Sequence, residues 1–499
     1  VELGQGLLAA LAGIAAAELG LPPSAIRFRS ATTGLSPDEG VTSGSLSVSH
    51  CGMAIRQASA EARALFVAEA ARRFDCSAEA ITIEDGVLQG PGNLRLGYGE
   101  LADSVSLDRD ADGLARPLGR GTSNDALRPD LPGRAFGTRP FIHDISFPDM
   151  LHGRVLRPPR AGAALVALDE AAFRETHPEA VLVQDGAFLG MVCPDERAAE
   201  RALATLAKAA GWAGGNDLPV PATLEAWLHS AKAETETVAA RGEMPAGENL
   251  ITRRFLKPFI AHGSVAPSCA IAEWRDGRLS VLSHTQGVYN LRSDLALVFG
   301  LPPEDIIVEH AESAGCYGHN GADDVALDAA LLARAVPGRP VRIRWSREDE
   351  LSRSPFGAAM LIEVSAALDA SGRIAQWRHA IWSNGHTARP GRASTPVLLA
   401  GHDLARPFAR LAAVDPPLSS GGGAQRNAVP AYDIPNLQVV KNRVLEQPIR
   451  TSSLRSLGAI GNVFAIECLM DELAERAGRD PLAFRLAHLA DPRARAVLE

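Results

Sequence analysis

Between Ala314 and Ala335 the chain reads A-G-C-Y-G-H-N-G-A-D-D-V-A-L-D-A-A-L-L-A-R-A, an irregular glycine-rich loop that runs directly into a helix. Gly315, Gly318 and Gly321 permit backbone angles or close approaches that a Cβ would block. Asp323 and Asp324 suit a helix start, by capping and by attraction to the dipole, and Leu327, Leu331 and Ala335 recur at helical spacing. Ile306 to His310 before the loop and Val341 to Trp345 after the helix alternate like strands. A loop between strand and helix lies at a strand's end, where sites in mixed folds gather, and its N–H groups can face a ligand's polar edge. A tight turn that merely needs glycine accounts for the segment alone equally well.

The 499 residues, 46% apolar and 22% charged, suffice for several cores and roughly two to four domains. No uninterrupted apolar run reaches membrane-span length, and the alanine-rich start carries Glu2 and Glu18 rather than a basic leader. A net charge of -9 without a long basic run argues against nucleic acid as the main partner. Cys51, Cys76, Cys193, Cys269, Cys316 and Cys468 lie far apart with no C-x-x-C pair, which argues against a self-contained iron-sulfur or structural zinc site of the usual spacing. The opening on Val1 and the close at Glu499, in a helix beginning near Pro492, are the pattern expected of a piece of a longer protein, and they leave cytoplasm or periplasm undecided.

In chain order, Gly4-Gln5-Gly6 precedes a helix from Leu7 to Leu19 closed by Gly20. Ile26 to Ser30 alternates like a strand, and Thr42-Ser43-Gly44-Ser45 precedes a second helix, His50 to Phe74. Two such helix entrances would cradle a phosphate or pterin edge, although serine and threonine are also ordinary N-caps. Asp85-Gly86 and Asp276-Gly277 mark hairpins, and a third hairpin joins Met360–Leu368 to Ile374–Trp382. His143 and His152 are far more often strand or loop residues than metal ligands at this spacing. Leu224 to Val238 reads as partly helical, Ser419 to Gly423 as a flexible loop or lid, and Leu454 to Ala477 as a helix with Val463, Ile466, Leu469, Met470 and Leu473 on its apolar face.

Familiar catalytic motifs are missing: there is no G-x-S-x-G, no H-E-x-x-H, no G-x-G-x-x-G, and no Walker loop. Several glycine loops from distant parts of the chain remain, and they would have to converge on one large organic cofactor. An unrelated carbohydrate or nucleotide enzyme sharing such loops stays open on this ground alone.

V-E-L-G-Q-G, T-S-G-S-L-S-V-S-H-C-G-M-A-I-R-Q-A, M-L-H-G-R-V-L-R-P-P-R, F-I-A-H-G-S-V-A-P-S, S-H-T-Q-G-V-Y, G-C-Y-G-H-N-G-A-D-D, R-P-V-R-I-R-W-S-R-E-D-E and L-R-S-L-G-A-I-G-N-V-F-A-I-E follow one another through nearly the whole chain. In this order they resemble the molybdenum-binding large subunit of the xanthine dehydrogenase and aldehyde oxidase family, in its isoquinoline 1-oxidoreductase and nicotinate dehydrogenase branch. The resemblance implies an α+β fold: a hammerhead domain plus molybdopterin-binding domains, with one molybdopterin-binding segment permuted to the N-terminus. The expected divisions are 1–110 for the permuted segment, 111–133 for a linker, 134–213 for the hammerhead-like domain, 214–247 for a connector and 248–499 for a molybdopterin-binding domain cut short at its end.

The resemblance also implies chemistry: hydroxylation of an N-heteroaromatic or aldehyde carbon with water as oxygen source, on molybdenum held by a pterin dithiolene and not by side chains. Gln5 matches the glutamine that approaches the pterin, with Gly4 and Gly6 allowing that approach, and Thr42, Ser43, Gly44 and Ser45 match the loop around the phosphates. Gly315, Cys316, Tyr317 and Gly318 match the loop near the metal, Tyr317 taking the aromatic place, and Gln286 is a weaker cofactor-pocket candidate. Arg455 matches the arginine that steadies negative charge on substrate or intermediate. The cofactor implied is the cytosine dinucleotide of molybdopterin. The partners implied are a small subunit carrying a [2Fe-2S] cluster and a cytochrome c-type electron acceptor.

The sequence departs from the pattern where His319-Asn320-Gly321 follows Gly318, and where Ile260 stands ahead of His262 in place of a glutamine. Purine recognition is therefore not expected. The family's base glutamate has no match after Arg455, since Glu467, Glu472 and Glu475 fall on an amphipathic helix, so residues 1–499 alone are expected to lack the general base. A non-catalytic cofactor-binding or assembly homologue of the same fold is the alternative.

Overall fold

The computed structural model describes residues 1–118, 128, 130–218, 223–244 and 250–499. Parts of the expected linker at 111–133 and connector at 214–247, and the first two residues of the expected domain at 248–499, lie outside them. The chain divides into two compact units: Val1–Ser146 with Leu282–Tyr289 and Ile307–Gly315, and Phe147–Val281 with Asn290–Ile306 and Cys316–Glu499.

In the first unit, α1 (Leu7–Leu19) and α2 (Cys51–Phe74) pack through Leu7, Leu11 and Ile14 against Cys51 and Ile55. Gly6 and Gly20 flank α1 with φ of 81° and 65°, left-handed angles that end a helix cheaply only at glycine. Strands β1 (Thr82–Glu84), β2 (Val87–Gln89) and β3 (Arg95–Gly97) form an antiparallel sheet that covers Phe66 and Ala70 of α2 with Leu88. Ile26 to Ser30 forms no strand; the first pairing beyond it is one bridge, Thr32 to Glu309, so no ladder continues along the segment.

The second unit holds two sheets. Five neighbouring strands of one run in the order Cys269–Arg275, Val341–Arg344, β4 (Leu151–Leu156), β6 (Phe188–Cys193) and β5 (Val181–Asp185). The helix Ala322–Ala333 packs on this sheet with all twelve residues buried. In the other sheet the order is Ile251–Lys257, Met360–Leu368, Ile374–Ser383, Asn436–Val444 and Ala233–Arg241. The helix Ala459–Arg476 covers it, burying Ile466, Leu469, Met470 and Leu473 against Met360, Ile362 and Trp377.

Two expectations are corrected here. The helix beginning at Leu224 stops at Ser230, and Ala233–Arg241 is a strand, because Thr235, Thr237 and Val238 favour a pleated edge and Glu234 and Glu236 pair across it with Arg443 and Lys441. Val463 is 40% exposed and lies beside exposed Ile460 and Phe464 rather than on the buried face. Gly422 and Gly423, which end Ser419–Gly423, are buried, and Gly423 backs onto Asp415, whose carboxylate accepts from Ala424 N at 3.0 Å and His386 N at 3.2 Å. Among the described residues no helix is long and apolar enough to cross a membrane.

Candidate functional site

The first unit gathers Gly4–Gly6, Thr42–Ser45 and Gln286. Thr42 N donates to Gln286 O at 2.9 Å, and Gln286 Nε2 donates to Thr42 O at 2.8 Å. Val1 N donates to Thr42 Oγ1 at 2.7 Å, and Val1 O accepts from Gln5 Nε2 at 3.0 Å, so the three segments form one hydrogen-bonded chain. The N–H groups of Gly4, Gly6 and Leu8, which open α1, all point at the buried Glu2 carboxylate, at 2.8, 2.9 and 3.1 Å. That helix start therefore already holds an anion, and the cradle expected there is filled by the chain itself. The Thr42–Ser45 loop differs. Gly44 and Ser45 are exposed with φ of 68° and 61°, and among the described residues no acceptor takes the N–H groups of Ser43, Gly44 or Ser45. Such a run of outward N–H groups suits phosphate or pterin oxygens.

In the second unit, Cys316–Gly318 meets the segment that carries Arg455. His319 N donates to Ser453 O at 2.7 Å and Arg455 N donates to Tyr317 O at 2.6 Å, which bridges Gly318 to Leu454. Gly318, at φ 130°, lies so close that a Cβ there would come within 2.0 Å of Ser453 O. The division of the chain falls between Gly315 and Cys316, so Gly315 belongs to the first unit. Among the described residues the N–H groups of Cys316, Tyr317 and Gly318 have no acceptor, while the Cys316 thiol turns back to Gly318 O at 3.3 Å and burial raises its pKa. That is the opposite of an activated nucleophile.

Arg455 is exposed, and among the described residues its guanidinium makes no hydrogen bond or ion pair. It opens a turn in which Ser456 and Leu457 adopt φ of 72° and 51°, a conformation unfavourable for leucine and kept by the bonds from Leu457 N to Leu454 O at 2.8 Å and Gly458 N to Gly423 O at 3.2 Å.

Behind the bridge stands a polar layer that sequence patterns did not reveal. His319 is buried, with Nδ1 at 2.8 Å from Ser452 Oγ and Nε2 at 3.0 Å from Asp323 Oδ2; burial lowers its pKa despite that carboxylate. His262 Nε2 donates to Ser453 O at 3.1 Å, and burial takes its pKa down to about 4. Arg389 is buried near Asp323 and Cys316, and desolvation lowers its pKa to about 10. Asp324 accepts both Arg450 nitrogens, at 2.7 and 2.5 Å, and Leu399 N at 2.8 Å. Asp324 thus ties the helix start to distant segments, while Asp323 holds His319 of the loop itself. Arg389 had no signal beyond a lone arginine in a Gly/Pro-rich stretch. Ser452 preceded a motif that drew attention only to Arg455. Among the described residues no three His, Cys, Asp or Glu side chains are grouped to hold a metal ion; His152 lies on β4.

Residues 233–404 and 417–489 match one family model described as a molybdopterin cofactor-binding domain, and residues 1–117 match a second of the same description. A nicotinate dehydrogenase subunit from Pseudomonas putida is 34% identical over 99% of this chain and 41% of its own length. The beta subunit of isoquinoline 1-oxidoreductase from Brevundimonas diminuta is 26% identical over 100% of this chain and 69% of its own. The solved structure of quinoline 2-oxidoreductase from Pseudomonas putida 86 aligns with a TM-score of 0.56 at 18% identity, covering 74% of this chain and 50% of that one. The chain therefore spans less than half the length of the first of these relatives.

Proposed function

The chain belongs to the molybdenum-binding large subunits of the xanthine dehydrogenase and aldehyde oxidase family, and from this we propose that it oxidises an N-heteroaromatic or aldehyde carbon with water as the oxygen source. Molybdopterin is the cofactor that its matched domains bind. The cytosine dinucleotide form, a separate [2Fe-2S] subunit and a cytochrome c-type acceptor belong to the proposal. When bound, the cofactor supplies the two-electron oxidation. The side chains contribute orientation and charge.

The observation that carries the reading is Arg455, an exposed guanidinium without an acidic partner among the described residues, set beside a strained turn on a segment whose backbone is bonded to Tyr317 and His319. An unneutralised arginine held in this way stabilises negative charge that develops on the substrate, and it costs no reorganisation when the charge appears. The open N–H groups of Cys316, Tyr317 and Gly318 are oriented donors for the same charge. Gln5, Thr42, Ser43, Gly44, Ser45 and Gln286, with Gly4 and Gly6 shaping the first loop, are assigned to the organic part of the cofactor, and Gly315 to the loop near its metal.

The full-length protein purified with its partner subunits tests this. Stoichiometric molybdenum with a cytosine-dinucleotide pterin is the expected content, and metal-free protein after cofactor-competent expression would overturn the assignment. Arg455→Met is expected to lower kcat/KM for isoquinoline, nicotinate or simple aldehydes by about a hundredfold or more with metal content unchanged. An unaltered rate would remove Arg455 from the site, and metal-loaded protein without turnover on any of these would favour a non-catalytic homologue.

A further inference from the structure

His319 and Asn320 stand where the sequence departs from the purine-oxidising pattern, and the proposed reaction gives neither a task. The role of Asn320 is local. Its N–H donates to Gly318 O at 3.0 Å and its Oδ1 accepts from Ala322 N at 3.1 Å, which closes the turn into Ala322–Ala333. His319 reaches further.

The partners of His319 fix where its proton sits. The Asp323 carboxylate only accepts, so Nε2, at 3.0 Å from it, carries the hydrogen. Burial holds the ring neutral, and the charges around it, Asp323, Arg389 and Asp324, do not outweigh that burial. Nδ1 is therefore bare, and the Ser452 hydroxyl at 2.8 Å donates to it. With its hydrogen committed, Ser452 Oγ offers a lone pair to Ala388 N, which donates at 3.1 Å. Ala388 N–H, Ser452, His319 and Asp323 thus form one directed chain of hydrogen bonds, and its three side chains are buried.

Ser452 lies on the segment that carries Arg455. Among the described residues the Arg455 guanidinium has no partner, so its direction follows from its backbone. That backbone meets the loop through two bonds, His319 N to Ser453 O and Arg455 N to Tyr317 O. The other side of the segment is held elsewhere: Thr451 Oγ1 donates to Gly385 O at 2.9 Å and Ser453 Oγ to His386 O at 3.0 Å. A bridge of two backbone bonds can rock about its own axis. A third bond, offset by the width of an imidazole ring, removes that freedom, and the Ser452–His319 bond is placed to do so.

We propose that His319 is a positioning residue for Arg455, acting through Ser452 to fix the segment Ser452–Arg455 against the loop Cys316–Gly318. The task of Arg455 in this statement rests on the oxidase reading above; the directed chain of bonds does not.

The full-length protein with its partner subunits tests it on whichever of isoquinoline, nicotinate and simple aldehydes is turned over. Ser452→Ala and His319→Gln each break the Nδ1 bond, and each is expected to lower kcat about tenfold with KM within about twofold and molybdenum content unchanged. His319→Asn, whose amide oxygen can stand in for Nδ1, should keep most of the rate. Added to Arg455→Met, Ser452→Ala should lower kcat by less than about twofold more, because a residue that acts by placing Arg455 then has nothing to place. Hydrogen exchange gives a readout that needs no turnover: in Ser452→Ala the backbone of 451–457 should exchange about tenfold faster. Losses that multiply with that of Arg455→Met, molybdenum lost or kcat unchanged in both single variants, or a His319→Asn protein as slow as His319→Gln would overturn the proposal. Unaltered exchange over 451–457 would overturn it as well, even in a protein that binds molybdenum without turnover, the outcome that sinks the oxidase reading by itself.

Discussion

Two glycine loops that look alike in the sequence, Gly4-Gln5-Gly6 before Leu7–Leu19 and Gly315–Gly318 before Ala322–Ala333, end in opposite arrangements. At the first, the helix start is saturated by its own Glu2 carboxylate, and exposed Gln5 has its amide engaged by Leu3 N and Val1 O. At the second, the acids of the helix's first turn are drawn away to His319 and Arg450, and the loop is pinned by a backbone bridge that leaves three N–H groups without an acceptor among the described residues. A glycine loop followed by a helix therefore does not by itself make an anion site. What decides is whether a nearby carboxylate belongs to the loop or has been claimed elsewhere.

Four perturbations probe this contrast. The largest effect is expected from Asp324→Asn, which leaves Arg450 without its carboxylate in a largely buried setting and should cost about 3 kcal/mol in urea unfolding. A loss of only a few tenths would mean that Arg450 finds solvent and that the loop is not tied down in this way. Gly318→Ala comes next, at about 2 to 3 kcal/mol, because its Cβ meets Ser453 O and φ is 130°. Gly4→Ala, at φ 101° with nothing within 4 Å, should cost only about 1 kcal/mol, so equal losses at the two glycines would erase the distinction between them.

The third is a pH effect. His262 has its folded pKa lowered from 6.5 to about 4, so below 6.5 the unfolded chain binds the proton that the folded one refuses, and stability falls as pH falls through that window. From pH 7 to pH 5 this histidine should account for about 2 kcal/mol of loss. Asp294, raised to about 6 by burial, works in the opposite sense by favouring the folded state as pH falls from 6. The check is therefore the difference between wild type and His262→Asn: the variant should lose less between pH 7 and pH 5, and identical slopes would show that the histidine is not buried as a neutral group. The smallest effect is expected from Glu2→Gln, about 1 kcal/mol, since the amide oxygen can still accept from Gly4 N and Gly6 N while the charge and the acceptor for Leu8 N are lost.

Much of the framework was legible residue by residue. The helix Leu7–Leu19 has the bounds that Gly6 and Gly20 suggest, and the hairpins at Asp85-Gly86 and Asp276-Gly277 turn where positive φ is cheapest for Asp and Gly, with φ of 48° and 77° at the first and 52° and 78° at the second. These are local outcomes, decided by a few dihedral preferences. The strand Ala233–Arg241 was hidden because its evidence, Arg443 and Lys441 opposite Glu234 and Glu236, lies some two hundred residues away.

The sequence alone determined the glycine- and hydroxyl-rich motifs and their order, because backbone freedom at glycine, hydroxyls at loop tips and alternation along strands are written into consecutive residues. Tertiary structure alone decided which loop keeps open N–H groups among the described residues, and that Arg455 has no acid there while Arg450 has one. The reason is that the charge state of a site depends on which partners long-range folding has already claimed. Those partners are set by packing between segments that no local pattern connects.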